Sequence, residues 1–85
     1  MEFTYKNHGT CSSKVDFDII DGKVYNVVYT GGCHGNLQGI GKLVEGMEVD
    51  EVIRRLKGIP CGYKATSCPD QLARNLERAK EKLNG

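Results

Sequence analysis

The four cysteines, Cys11, Cys33, Cys61 and Cys68, are the residues of this sequence best suited to do chemistry. Each has Gly, Ser, Pro or another polar residue beside it, as in Thr10-Cys11-Ser12, Gly32-Cys33-His34, Pro60-Cys61-Gly62 and Ser67-Cys68-Pro69. An even count in a secreted chain suggests two disulfides, whereas in a reducing compartment it suggests metal binding or redox chemistry. No C-x-x-C pair is present, so the spacing is not that of a zinc finger. The competing reading is a set of buried thiols packing as small hydrophobes.

The elements that must position these thiols can be read from periodicity. Val15, Phe17 and Ile19 alternate with Asp16 and Asp18, the period of a half-buried strand. Asp21-Gly22 is a two-residue hairpin signal, and residues 23–30 read as the returning strand. Phe3-Thr4-Tyr5 adds a short edge strand. From Leu37 the period becomes helical. Leu37, Ile40 and Val44 run to Gly46, and Val49, Val52, Ile53 and Leu56 run to the stop at Gly58. A loop over residues 58–66 leads to a last helix with Leu72, Leu76, Ala79 and Leu83 on one stripe. The fold class expected is α+β: a small antiparallel β-meander of two or three strands, then about three helices packed on one face, forming one domain over residues 1–85.

That frame places the thiols. If residues 15–19 pair with 24–28, Cys11 and Cys33 stand at the same end of the sheet. Cys33 precedes one helix and Cys68 opens another, where backbone N–H groups and the helix dipole favour the thiolate. Ser67 and Asp70 have the spacing of a capping box, and Pro69 is tolerated in a first turn. Cys61 is close to Cys68 in sequence, so all four sulfurs are expected to converge. The leading expectation is a metal site, with Cys11, Cys33, Cys61 and Cys68 as thiolate ligands to zinc or an iron–sulfur cluster. His34 is either a further ligand or a solvated loop side chain, and His8 is incidental. Two alternatives stay open: a redox dithiol made by Cys61 and Cys68, and a structural or oligomerising domain with buried thiols.

Composition narrows the field. The chain has 85 residues, 39% hydrophobic and 27% charged, which suits a small soluble domain. Twelve basic residues nearly cancel eleven acidic ones, so nucleic acid and anionic lipid are not expected partners. No stretch approaches the roughly 18 apolar residues of a membrane span, and the polar start is no signal peptide. A cytoplasmic location is therefore expected. Gly41-Lys42 lacks the earlier glycine and the following Ser/Thr of a phosphate loop. An open edge strand near Phe3 leaves room for a homodimer.

At Thr66-Ser67-Cys68-Pro69-Asp70 the sequence carries the pentapeptide of the TSCPD domain. With Gly32-Cys33-His34-Gly35-Asn36 and Gly58-Ile59-Pro60-Cys61-Gly62 it resembles the small stand-alone members of that family over nearly its whole length. The family also occurs at the C-terminus of ribonucleotide reductases. The resemblance implies an accessory domain, not a complete enzyme, with a ribonucleotide reductase as partner and a role in deoxynucleotide synthesis. A weaker similarity is to U-type iron–sulfur cluster scaffold proteins, whose three cysteines match Cys11, Cys33 and Cys68. It implies an iron–sulfur protein as partner. Ser12-Ser13 stand where those scaffolds carry an aspartate, and Cys61 is extra.

Overall fold

The computed structural model describes residues 1–84, and of His34 only the backbone. Three antiparallel strands, β1 (Glu2–Lys6), β2 (Ser12–Ile20) and β3 (Lys23–Gly31), lie in the order β1-β2-β3. Three helices follow: α1 (His34–Val44), α2 (Val49–Leu56) and α3 (Cys68–Asn84). The α+β arrangement expected from the hydrophobic period is the one found.

The hairpin forms where its turn residues demand. Asp21 and Gly22 both have positive φ, 52° and 76°, the backbone of the tight turn that matches the twist of paired strands. Ile19 then faces Val24, Val15 faces Tyr29, and Phe3 of the edge strand faces Phe17. The register slips between Asp16 and Asp18, where Asn26 adopts φ 56° and its side-chain amide donates to Asp18 Oδ2. One face of the sheet carries Phe3, Val15, Phe17, Ile19 and Val24. These pack with Val44, Val49, Val52, Leu72, Leu76 and Ala79 from the helices, forming a single apolar core. The predicted stripe of α3 holds through Ala79, but Leu83 is 46% exposed.

Two close approaches fix the helices. Residues 46–49 run along the start of β3: Gly46 N–H donates to Val24 O, Val24 N–H to Met47 O, and Val49 N–H to Gly22 O. This joins α1 to α2 across the hairpin end. At Gly41, α1 comes down on the backbone of β3, so that a Cβ there would lie 2.9 Å from Val27 O. At Gly39, in the same helix, a Cβ would meet nothing within 4 Å. Alanine at an open helical position gains about 1 kcal/mol over glycine, but a forced approach to backbone costs about 1–3 kcal/mol. Gly39→Ala is therefore expected to raise the urea midpoint of unfolding and Gly41→Ala to lower it, both with unchanged slope. A stabilised Gly41→Ala would mean that α1 has room to lift off the sheet.

No helix among the described residues is long and apolar enough to cross a membrane.

Candidate functional site: a sulfur pair at the start of α3

The strand register places Ser12 opposite Gly31, so Cys11 sits beside the turn that leads from β3 into α1. Gly32 makes this turn. Its φ is +80°, and a Cβ would meet Cys11 Sγ at 3.1 Å and Leu37 Cδ1 at 2.9 Å. Cys33 follows as the N-cap of α1; among the described residues no side chain caps this helix start, and Cys33 is exposed. The sequence expectation that Cys11 and Cys33 share one end of the sheet thus holds.

α3 brings Cys68 to the same end. Its N-cap is Ser67, whose hydroxyl accepts from Asp70 N–H at 3.2 Å and donates to Ile59 O at 2.6 Å. Half of the predicted capping box is therefore present. The other half is replaced. The Asp70 carboxylate, fully buried, accepts from Gly58 N–H (2.7 Å), Arg74 Nε (2.9 Å) and the Thr66 hydroxyl. Burial alone would raise the Asp70 carboxyl, but the Thr66 hydroxyl, Gly58 N–H and the Arg74 guanidinium together hold it below the ordinary aspartate value. In this way Asp70 ties the 58–66 loop to the helix that carries Cys68.

Cys68 Sγ lies 3.9 Å from Cys11 Sγ and 2.9 Å from Ser12 Oγ. Cys68 is 6% exposed and Cys11 is exposed, so the pair has one sheltered and one accessible sulfur. Burial would push the Cys68 thiol up. Hydrogen bonds from the Ser12 hydroxyl, Ser12 backbone, Thr10 hydroxyl and Cys11 thiol outweigh it and hold Cys68 below the usual cysteine value. On the other side, the Tyr29 hydroxyl donates to Cys68 O at 2.9 Å. Burial, and then the Cys68 charge, push the Tyr29 hydroxyl well above the usual phenol range.

Cys61 is placed differently from the expectation of a Cys61–Cys68 pair. It is exposed, in a tight turn that pairs it with Lys64, and the sulfur beside Cys68 is that of Cys11. Among the described residues, no group of three or more His, Cys, Asp or Glu side chains stands close enough to hold a metal ion. The Cys11–Cys68 spacing by itself suits two ligands, because thiolates about 2.3 Å from a tetrahedral zinc lie about 3.8 Å apart. Cys33 and Cys61 are not gathered with them as a third and fourth sulfur.

Sequence reading did not single out the buried polar groups that lead through Ser12 to Cys68. Ser12, Asn7 and Asn75 are all buried. One signal was available: Asn75 falls among Leu72, Leu76 and Ala79 on the apolar face of α3, and a polar residue there needs a buried partner.

Fold and site together describe a small α+β thiol domain with a sulfur pair at a helix N-terminus. The chain belongs to the TSCPD domain family, whose model matches residues 3–80. The domain is known from ribonucleotide reductases. No curated protein and no solved structure matches the chain.

Proposed function

We propose that this chain is a dithiol–disulfide module of the reductase-associated TSCPD family, working through Cys11 and Cys68. The observation that carries the reading is the pairing of an exposed with a buried sulfur at 3.9 Å. A redox dithiol needs two sulfurs, and two are together. Ribonucleotide reduction leaves a disulfide that a dithiol must reset, so the partner is a protein disulfide of a reductase. In the step, Cys11 attacks the partner disulfide, forms a mixed disulfide and releases one partner thiol with the proton Cys11 carried. The Cys68 thiolate then attacks Cys11 Sγ and expels the second partner sulfur as thiolate. Two electrons pass to the partner, and Cys11 and Cys68 end as a disulfide.

A second reading keeps the metal. The same 3.9 Å spacing is close to one edge of a tetrahedral thiolate site. Zinc or an iron–sulfur cluster would then be held by Cys11 and Cys68, with Cys33 and Cys61 carried in by the 31–33 turn and the 58–66 loop. Such a group would supply folding stability to a small domain.

One preparation separates the two. The protein is purified without oxygen, assayed for zinc and iron, then mildly oxidised and mapped by peptide mass spectrometry. A Cys11–Cys68 disulfide and no stoichiometric metal is the expected result. One zinc or a stoichiometric iron centre per chain, lost on Cys33→Ser or Cys61→Ser, would replace the redox reading with the metal one.

A further inference from the structure

A chain of three buried polar side chains ends on the Cys68 sulfur. Asn75 Nδ2 donates to Asn7 Oδ1 at 3.0 Å, and Asn7 Nδ2 donates to Ser12 Oγ at 2.9 Å. Ser12 Oγ lies 2.9 Å from Cys68 Sγ. Asn75 and Ser12 are each 1% exposed and Asn7 is 9% exposed, so water cannot replace these partners cheaply. The three come from separate parts of the fold: Asn75 from the second turn of α3, Asn7 from the connection just after β1, and Ser12 from the start of β2.

The direction of the chain matters. An amide has a donating end and an accepting end. Because Asn75 gives a proton to Asn7 Oδ1, Asn7 must present its NH₂ to Ser12. Ser12 Oγ then accepts from Asn7 and keeps its single proton free. Thr10 Oγ1, at 3.4 Å from Ser12 Oγ, is the competing acceptor, but the sulfur, at 2.9 Å, is nearer.

We propose that Asn75, Asn7 and Ser12 are positioning residues that aim the Ser12 hydroxyl at Cys68 Sγ and thereby set the redox poise of the Cys11–Cys68 pair. The inference rests on Cys11 and Cys68 being a working dithiol. A donor held against the sulfur stabilises the reduced, thiolate form over the disulfide, which has no charge to accept it. The pair is therefore made more oxidising than an unassisted dithiol, as for other couples whose reduced form is stabilised. Asn75 acts at a distance: two turns of helix, about 10 Å of rise, separate it from Cys68.

The test equilibrates the full chain with graded ratios of reduced and oxidised glutathione. The Cys11–Cys68 disulfide is then counted by mass spectrometry after acid quenching. Ser12→Ala removes the donor. It is expected to move the midpoint about tenfold toward the disulfide, the size of a hydrogen bond to a charged group. Asn75→Leu extends the Leu72–Leu76 stripe, so it keeps the helix face apolar, and frees Asn7 to turn its oxygen to Ser12. It is expected to move the midpoint the same way by at least about threefold. Ser12→Thr keeps a hydroxyl and is expected to stay within about twofold. A folded Asn75→Leu with the midpoint of the parent chain overturns the relay while leaving the dithiol reading intact. A parent chain that forms no Cys11–Cys68 disulfide at any ratio removes both.

Discussion

Serine in place of Cys68 is expected to stall thiol–disulfide exchange at the mixed disulfide on Cys11. The exposed Cys11 still reaches a disulfide in solution, but the sulfur that would release the adduct is gone. Cys68 Sγ waits 3.9 Å from Cys11 Sγ, held from one side by the Ser12 hydroxyl. A group so placed acts with a high effective concentration. Its loss is expected to slow completion of exchange by on the order of a thousandfold or more. Cys11→Ser is expected to lose exchange in a different way, with no adduct, because the remaining sulfur is buried. Cys33→Ser and Cys61→Ser are expected to react much as the parent does. Peptide mass mapping after incubation with oxidised glutathione tells these outcomes apart: an adduct retained on Cys11 for Cys68→Ser, none on Cys68 for Cys11→Ser. If Cys61→Ser stalled instead, the pair would be the Cys61–Cys68 dithiol suggested by sequence proximity.

The second large effect is on stability, at Asp70. Its carboxylate is fully buried and takes three donors, from Gly58 N–H, Thr66 and Arg74. Removing it strands the Gly58 N–H, and the loop over residues 58–66 loses its tie to α3. Breaking a buried charged pair costs about 3–5 kcal/mol. The Arg74 side chain is 50% exposed and can turn to water, which favours the lower end. Asp70→Ala is therefore expected to destabilise the domain by about 3 kcal/mol, with a fall in Tm of roughly 10–20 °C for a chain of this size. The pH dependence follows from the lowered native pKa of Asp70. The folded chain holds the carboxylate charged below the ordinary value of 3.8, so on acidification the unfolded chain takes up the proton first. This stability is fully present above the ordinary aspartate range and is lost as the pH falls through it toward the native value. Asp70→Asn is expected to be less stable at neutral pH and to flatten the acid limb. Parallel acid limbs for the two proteins between pH 6 and 3, followed by circular dichroism in urea, would show that Asp70 does not carry the charge assigned to it.

Asp70 also shows where local reading stops. In sequence it is the fourth position of a capping box, and Ser67 does cap the Asp70 N–H. Which donors its carboxylate takes depends on where the 58–66 loop lies, and Gly58 and Ile59, which meet Asp70 and Ser67, stand eight or more residues before them in sequence. The same limit applies to the sulfurs. The hairpin register, legible from Asp21-Gly22 and the alternation of Val15, Phe17 and Ile19, brings Cys11 to the turn before Cys33. No such local rule links Cys68 to Cys11, 57 residues away, rather than to Cys61.

The sequence by itself determined the meander, the three helices, the apolar face that joins them and the place of Cys68 at a helix start. Those features depend on residues within a turn or two of each other, where the periods of strand and helix and the chemistry of turns and caps act directly. Only the tertiary structure decided which thiol meets Cys68, that Gly41 lets α1 rest on the Val27 carbonyl, and that Asn75, Asn7 and Ser12 form one polar chain. Each of these joins separate elements whose approach is set by how the whole core closes. A hydrogen bond also requires its partners within a few tenths of an ångström, a tolerance that hydrophobic patterning along a chain does not encode.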